Sequence, residues 1–229
     1  MHHPEEHFQS PALVRDVVIG MSDGLTVPFA LAAGLSGAAI SNGIIITAGL
    51  AEIVAGSIAM GLGGYLAGKA EVDHYAAELR RELYEIDHLP ERERAEVKEI
   101  FAGYGLSEAS QNLIVDELSK DKDKYADFMM RFELGLEQPD AGRATRSALN
   151  IGISYIVGGF IPLSAYWFTD NPQTGLYFSS AITLVCLMIF GFFKSKFTGQ
   201  PLVLGALKVT AIGALAAAVA FFVARWVSM

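Results

Sequence analysis

The sequence predicts an all-α, polytopic membrane protein with five transmembrane helices and an acidic helical insert between the second and the third. Two observations predict this fold class. Hydrophobic residues make up 52% of the 229 residues and charged residues only 18%, below the roughly 25% of a soluble domain. The charges are also unevenly placed, since 19 of the 25 acidic and nine of the 17 basic residues lie between positions 71 and 140. An apolar body interrupted by one acidic segment sorts its charges in this way, whereas a single globular core does not.

Five segments are apolar for long enough to cross a hydrocarbon layer about 30 Å thick, which needs roughly 20 helical residues. We predict these spans at residues 17–38, 44–67, 148–168, 176–193 and 202–223. The predicted organisation is a flexible N-terminal tail at 1–13, two spans within 14–69, the acidic insert at 70–142 and three spans within 143–229. His2, His3 and His7 fall in the tail, where we expect no metal site.

Lys and Arg near the span ends predict the orientation, because cytosolic flanks carry an excess of positive charge. The connections at residues 36–42 and 169–174 contain neither Lys nor Arg, and only Arg225 departs from the pattern. We therefore expect the N-terminus and the insert in the cytosol and the C-terminus across the membrane. Lys208, less than about two turns inside the fifth span, should snorkel to the cytosolic interface. The residues expected at cytosolic span ends are Arg15, Lys69, Arg143, Arg146, Lys194 and Lys196.

Several classes of function have no support in the sequence. A net charge of −8 argues against nucleic acid as a partner, because phosphate binding needs clustered Lys and Arg. Cys186 is the only cysteine, so the chain forms neither an internal disulfide nor a cysteine-based zinc site. A P-loop and a G-x-S-x-G elbow are both missing from the sequence. We expect a protein that is not an enzyme and holds no prosthetic group.

Two carboxylates, Asp23 and Glu52, lie inside the first and the second predicted span. A carboxylate in the middle of a membrane costs about 2.5–3.5 kcal/mol on insertion scales. Since no Lys or Arg lies deep in any span to pair with them, each carboxylate either reaches the interface or lines a wet path. We favour the path, because Glu52 lies about nine residues into its span.

The surroundings of Asp23 are rich in oxygen ligands. In the run G-M-S-D-G-L-T-V-P, Pro28 has no amide hydrogen to donate to the carbonyl of Gly24. A freed carbonyl beside a carboxylate and two hydroxyls is suited to a cation. A simple proline kink, which neighbouring helices tolerate, is the alternative.

Glu52 shares one helix face with Gly56, Met60 and Gly64, which follow it at intervals of four residues. The glycines allow another helix to approach closely. Met60 offers a thioether to a softer cation, or it is ordinary apolar filler. The pattern leaves these two roles about equally supported.

The insert is predicted to be helical. No proline occurs from residue 44 to 89, so the second span should continue into the insert as one long helix. Pro90 suits the first turn of the next helix, which Gly103 and Gly105 should end. Ser107 can cap the following helix, and a last helix is expected at about 121–136.

Glutamates recur in the insert at helical spacing. If the first two helices pack antiparallel about Pro90, Glu82 and Glu85 come against Glu93 and Glu96. Like charges at such distances repel unless a cation lies among them. The sequence therefore predicts a metal site at this place.

A solvated run of charges is the alternative interpretation of the insert. It would be stabilised by helical ion pairs at i, i+3, such as Glu78 with Arg81 and Glu91 with Arg94. Spacing alone does not decide between a metal site and this arrangement.

The kind of metal is suggested by the last helix of the insert. Met129, Met130 and Glu133 place thioethers beside a carboxylate. Oxygen ligands alone suit Mg, Ca and Mn, whereas carboxylates mixed with thioethers favour Fe(II) or a neighbouring metal.

E-x-x-H occurs twice, at Glu71–His74 and at Glu85–His88, and two such motifs are typical of di-iron carboxylate bundles. Both fall on one predicted helix, where 14 residues correspond to about 21 Å. The two motifs cannot meet at one di-iron centre within a chain, which disfavours a membrane oxidase.

Taken together, these residues resemble plant-type members of the vacuolar iron transporter family, to which the yeast vacuolar iron/manganese importer also belongs. The resemblance covers nearly the whole chain. It rests on the runs G-M-S-D-G-L-T-V-P-F-A-L-A-A-G-L and G-S-I-A-M-G-L-G-G-Y-L, the glutamate-rich insert ending M-M-R-F-E, and G-G-F-I-P in the third span.

The resemblance implies a homodimer in the vacuolar membrane that exchanges cytosolic Fe(II) for lumenal protons through a pore between the subunits. It places Asp23, Glu52 and Met60 on the transport path. It also implies a metal-binding domain in the insert, whose ligands match Glu82, Glu85, Glu93, Glu96, Met129, Met130 and Glu133.

The hypothesis is a proton-coupled Fe(II) antiporter, with Mn(II), Co(II) and Zn(II) as further candidate substrates. The insert collects the metal, Asp23 and Met60 coordinate it within the membrane, and Glu52 carries the proton. A membrane protein that senses or scaffolds metal without transporting it is the alternative.

Overall fold

The computed structural model describes residues 11–38 and 40–229, and every regular element within them is helical. The histidines at positions 2, 3 and 7 lie outside the described residues. The helices are α1 (Pro11–Gly37), α2 (Asn42–His88), α3 (Pro90–Gly103), α4 (Glu108–Leu118), α5 (Lys122–Phe132), α6 (Arg143–Ser164), α7 (Pro172–Phe197) and α8 (Leu202–Val227), with a short 3₁₀ turn at Ala165–Trp167.

Five helices, α1, α2, α6, α7 and α8, are long and apolar enough to cross a membrane, which confirms the predicted number of spans. The helices extend beyond the predicted spans, because helical hydrogen bonding continues past the apolar residues. The first begins at Pro11 rather than at 17, and the third begins at Arg143 rather than at 148. Asp16 therefore lies inside α1.

The chain divides into two compact units. Of the described residues, the membrane unit contains those up to Leu66 and those from Ala144 onwards, and the insert unit runs from Ala67 to Arg143. Helix α2 is continuous from Asn42 to His88, as predicted from the lack of proline.

Glycines allow α6 to pack directly on α1 in the membrane unit. A Cβ placed on Gly24 would lie 2.4 Å from the carbonyl oxygen of Tyr155, and one on Gly20 would lie 2.2 Å from that of Ile151. From the other side, a Cβ on Gly158 would lie 3.0 Å from the carbonyl carbon of Gly24. The two backbones therefore touch, as small residues permit in membrane helices.

Helix α2 packs on α6 through glycines as well. A Cβ on Gly56 would lie 2.4 Å from the phenol oxygen of Tyr155, and one on Gly64 would lie 2.6 Å from Ile151. The glycine face predicted from the sequence thus packs on α6.

The insert unit has its own apolar core, formed by Val97, Val115, Tyr125 and Met129, all at most 3% exposed. Pro90 lies at the start of α3, and the Ser107 hydroxyl caps α4 by accepting a bond from the amide of residue 110. These local predictions are confirmed.

Helix α5 ends at Phe132, four residues before the predicted end. Gly135 has a φ of +64°, a left-handed conformation that glycine adopts without strain. The amide of Leu136 then donates back to the carbonyl of Met130 at 2.7 Å. This turn stops the helix directly before Glu133.

Candidate metal-binding sites

Three glutamates of the insert unit come together although they belong to different helices. Glu82 lies on α2, Glu93 on α3, and Glu133 directly follows α5. One carboxylate oxygen from each lies within 4.8 Å of the other two. We call these three residues the glutamate cluster.

The cluster is largely withdrawn from water. Glu82 is 3% exposed and Glu93 is fully buried, whereas Glu133 is exposed. Oε2 of Glu82 and both carboxylate oxygens of Glu93 have no hydrogen-bond partner among the described residues. Buried polar atoms are normally paired, so these three oxygens are available to a ligand.

Burial and mutual repulsion both disfavour charge on the cluster. Desolvation raises the pKa of Glu82 to about 7, with a further contribution from the charge of Glu133. Desolvation likewise raises the pKa of Glu93 to about 7, followed by the charges of Glu96 and Glu82. The pKa of Glu133 is also raised, first because the neighbouring protein removes part of the water around its carboxylate, although the residue as a whole is exposed, and then by the charge of Glu96. The site can thus hold either protons or a cation near neutral pH.

A buried phenol completes the surroundings of the cluster. Tyr125 is 3% exposed, and its hydroxyl has no partner among the described residues. Desolvation and then the charge of Glu93 raise its pKa to about 12. The phenol is therefore neutral at ordinary pH and offers an oxygen close to the carboxylates.

The other predicted ligands of the insert are placed differently. Glu85 accepts a bond from Arg81 at 3.1 Å, and Glu96 accepts one from Arg92 at 2.9 Å. Their negative charges nevertheless raise the pKa of Glu82. They lie near the cluster but outside the group of three.

The two methionines, Met129 and Met130, are both fully buried. Met129 packs with Val97 and Val115 in the core of the insert. The described contacts give Met129 an apolar role, and thioether coordination stays a prediction.

The predicted helical ion pairs are formed only in part. Glu78 and Arg81 lie 3.7 Å apart. Arg94 instead reaches α4, where it donates to Asp116 and, at 3.0 Å, to Ser119. A bridge between helices replaces the expected pair with Glu91 because Asp116 is within reach of the guanidinium.

In the membrane unit, Glu52 is bound by a residue that the sequence analysis did not identify. The phenol of Tyr155 on α6 donates to Oε1 of Glu52, and Oε2 of Glu52 is buried without a partner in the described structure. Tyr155 is 2% exposed, with its ring against Gly56 and its backbone against Gly24. The tyrosine thus joins the helix of Glu52 to the helix of Asp23.

Asp23 and Met60 are both half-buried. The Pro28 segment that follows Asp23 packs on α6, since a Cβ on Gly159 would lie 3.2 Å from the proline ring. The Gly24 backbone lies at the same crossing, since a Cβ on Gly158 would lie 3.0 Å from its carbonyl carbon.

A buried carboxylate that was not predicted from the sequence is Asp16, which is 3% exposed. Its Oδ1 accepts a bond from Ser147 at 2.9 Å, and its Oδ2 accepts one from Asn150 at 3.5 Å. The spacing of Ser147 and Asn150 on one face of α6 was the available signal. Asp16 itself gives no such signal, because it lies one residue before the apolar run that begins at residue 17.

The sequence profile of the VIT family matches residues 14–225. The chain belongs to the VIT family. It is 53% identical over 224 residues to vacuolar iron transporter 1 of Arabidopsis thaliana, covering 98% of this chain and 90% of that protein. It is 52% identical over 224 residues to vacuolar iron transporter 1 of Oryza sativa subsp. japonica, with 98% and 89% covered.

A fungal relative is more distant. Protein CCC1 of Saccharomyces cerevisiae is 39% identical over 196 residues, which cover 82% of this chain and 60% of that protein. The family resemblance seen in the sequence is therefore confirmed. The two plant members of the VIT family are named as transporters, in agreement with the expectation of a protein that is not an enzyme.

Proposed function

We propose that this chain transports ferrous iron from the cytosol into the vacuole in exchange for protons. The observation that carries the proposal is the glutamate cluster, whose buried oxygens lack partners, in a chain of the VIT family with five candidate spans. Iron is the cargo in this proposal and not a resident cofactor. The plant relatives, which are named vacuolar iron transporters, support the choice of metal and membrane.

Capture of the metal is the first proposed step. Three carboxylates close together in a buried place repel one another, and a divalent cation removes that repulsion. Glu82, Glu93 and Glu133 would bind first, with Glu85 and Glu96 attracting the cation from their nearby positions. Met129 and Met130 would add thioether ligands by a change of side-chain conformation. Such a mixed set favours Fe(II), with Mn(II), Co(II) and Zn(II) as competing substrates.

Passage through the membrane unit is the second proposed step. Asp23 and Met60 are half-buried and would coordinate the metal. Glu52 would carry the proton, because its Oε2 is buried without a partner in the described structure. The Tyr155 hydroxyl that donates to Glu52 would stabilise the charged form each time the proton leaves.

The assembly and orientation belong to the same proposal. A homodimer would form a pore between its two subunits, with the N-terminus and the insert in the cytosol. The basic residues at alternate span ends support this orientation.

Iron uptake by purified protein in liposomes tests the function. Vesicles with an acidic interior are given Fe(II) without oxygen, and internal iron and pH are recorded together. We expect iron to enter as protons leave, and Asp23→Ala to abolish both signals. Glu117→Gln is the control, because in the described structure this exposed side chain pairs with Lys120 on the surface of the insert. The absence of iron entry in the wild type would refute the function, and full uptake by Asp23→Ala would remove that residue from the path.

Metal sensing without transport is a second candidate. It is favoured by one observation: the glutamate cluster lies wholly within the insert unit, so metal binding by these three residues would need no ligand from the membrane unit. Saturable Fe(II) binding by a protein that gives no flux in the same vesicles would establish this alternative.

A further inference from the structure

Four buried side-chain atoms of the insert unit have no hydrogen-bond partner among the described residues, and one of them differs in kind from the other three. Three are carboxylate oxygens, namely Oε2 of Glu82 and both oxygens of Glu93. The fourth is the hydroxyl of Tyr125. An ionised carboxylate can only accept a hydrogen bond, whereas a phenol can donate one. The insert unit thus buries one unpaired donor together with three unpaired acceptors.

The hydroxyl of Tyr125 is not needed to pack the core of the insert. The residue is 3% exposed and lies in an apolar core with Val115 and Met129, where a phenylalanine ring would fill the same space. A buried hydroxyl without a partner destabilises a protein. Buried polar groups are normally paired, so the hydroxyl points to an acceptor that it reaches in another state of the site.

The packing places Tyr125 on the side of α3 that carries Glu93. Positions 93 and 97 lie one turn apart on one face of α3, and Glu93 and Val97 are both fully buried. Val97 shares the core of the insert with Tyr125. One helical turn rises about 5.4 Å, a distance that the length of a tyrosine side chain covers. Glu93 is therefore the carboxylate that this packing offers to the phenol.

The electrostatics of the phenol agree with this placement. Burial and then the charge of Glu93 raise the pKa of Tyr125 to about 12. Since the effect of a charge falls with distance, Glu93 is the carboxylate that influences the phenol most. Arg94 acts in the opposite direction, but its guanidinium already donates to Asp116 and Ser119.

We propose that Tyr125 positions Glu93 as a metal ligand, by donating its hydroxyl hydrogen to one carboxylate oxygen while the other oxygen binds the cation. The inference rests on the proposed capture of Fe(II) by the glutamate cluster. Both oxygens of Glu93 are unpaired, so one is available for each role. A hydrogen bond to the oxygen that does not bind the metal fixes the orientation of the carboxylate. Tyr125 itself does not touch the metal and is a positioning residue.

Anaerobic calorimetry of Fe(II) binding to the full-length protein in detergent tests the proposal. Tyr125→Phe keeps the ring and removes only the hydroxyl. Loss of a group that orients a metal ligand typically weakens metal binding roughly 10–100-fold, and we expect the Kd of this variant to rise by that factor. Its thermal midpoint without metal should not fall, because the substitution removes an unpaired buried hydroxyl. Tyr104→Phe is the matched control and should change neither quantity, since Tyr104 is 74% exposed.

Infrared difference spectroscopy of the metal-bound and metal-free protein follows the hydrogen bond itself. The C–O stretch of a phenol shifts when its hydroxyl gains an acceptor, and tyrosine deuterated on the ring identifies the band. Fe(II) should shift this band in the wild type and in Tyr104→Phe, but no tyrosine band should respond in Tyr125→Phe. Loss of packing alone would not produce this pattern.

The outcomes separate this inference from the proposed function. An unchanged Kd for Tyr125→Phe would overturn the inference, and so would a wild type whose tyrosine band does not respond to Fe(II) or a response that persists in Tyr125→Phe. A lower metal-free midpoint with an unchanged Kd would give the hydroxyl a purely structural role. If the wild type bound no Fe(II), the proposed capture step would be refuted together with this inference. Fe(II) binding without flux in vesicles would refute transport alone.

Discussion

Replacing Glu93 with glutamine should make the metal-free protein more stable at pH 8 and should also remove the stabilisation that Fe(II) gives. Glutamine has nearly the same shape as glutamate but carries no charge. Its amide can donate to the carboxylates of Glu82 and Glu133, whose oxygens lie within 4.8 Å in the glutamate cluster. The substitution thus removes repulsion and ligand charge together.

The size of the effect follows from the pKa of Glu93. Burial raises this pKa from 4.5 to about 7, so the unfolded chain loses its proton at a lower pH than the folded one. The folded state is therefore penalised increasingly from about pH 4.5 to pH 7, and fully above pH 7. At about 1.4 kcal/mol per unit the whole shift corresponds to roughly 3 kcal/mol. The exposed Glu133 admits solvent, and screening lowers the expected cost to about 1–1.5 kcal/mol.

Thermal unfolding of the full-length protein in detergent measures both effects. Without metal, Glu93→Gln should raise the midpoint by roughly 2–6 °C at pH 8 and change it little at pH 5. Fe(II) at about a hundred times its Kd should stabilise the wild type by about 2.7 kcal/mol, and the variant by much less. Glu117→Gln, on the insert surface, should alter neither result. A midpoint for metal-free Glu93→Gln at or below the wild-type value at pH 8 would refute the electrostatic reasoning, and an undiminished Fe(II) response would refute the site.

Three further outcomes are expected. Fe(II) binding should release about one proton at pH 7, because two members of the glutamate cluster have a pKa of about 7; calorimetry in two buffers of different ionisation enthalpy measures the release. Tyr155→Phe removes the donor to Glu52 and should slow iron uptake roughly tenfold, as expected for a hydrogen bond to a charged group, while Tyr177→Phe, 75% exposed on α7, should not. In size-exclusion chromatography, Gly158→Leu should not elute as a single folded species, because the leucine side chain would clash with the backbone of α1. The control Gly63→Leu should elute normally, because a Cβ at position 63 has nothing within 4 Å. Normal elution of both variants would contradict the close crossing of α1 and α6.

Local signals predicted much of the fold. Span number follows from apolar length, and the start of α3 at Pro90 and the cap at Ser107 follow from chemistry within a few residues. The end of α5 was predicted less well, because Gly135 ends the helix through a backbone bond that no periodicity reveals.

The candidate sites could be predicted only where the sequence shows which two segments come together. Glu82 and Glu93 could be paired, since Pro90 between them predicts a tight reversal of the chain. The contacts of Tyr155 and Asp16 could not be predicted. The apolar pattern of a span does not show which of its residues contacts another helix. The role of Met129 could not be predicted either. A methionine recurs at the same helical spacing whether its thioether packs in an apolar core or binds a metal.

The glycine crossings on both sides of α6 constrain how the membrane unit can move. The main chains of α1 and α6 touch at Gly24 and Gly158. If one helix slid along the other, no change of side-chain rotamer could relieve the resulting clash. Helices α1 and α6 should consequently shift as a single block. Because Tyr155 on α6 donates to Glu52 on α2, any opening of the proposed transport path would displace Asp23, Glu52 and Tyr155 together. The distances among these three side chains would then be the same whether the path opened to one side of the membrane or to the other. Only the side from which an ion reaches them would alternate.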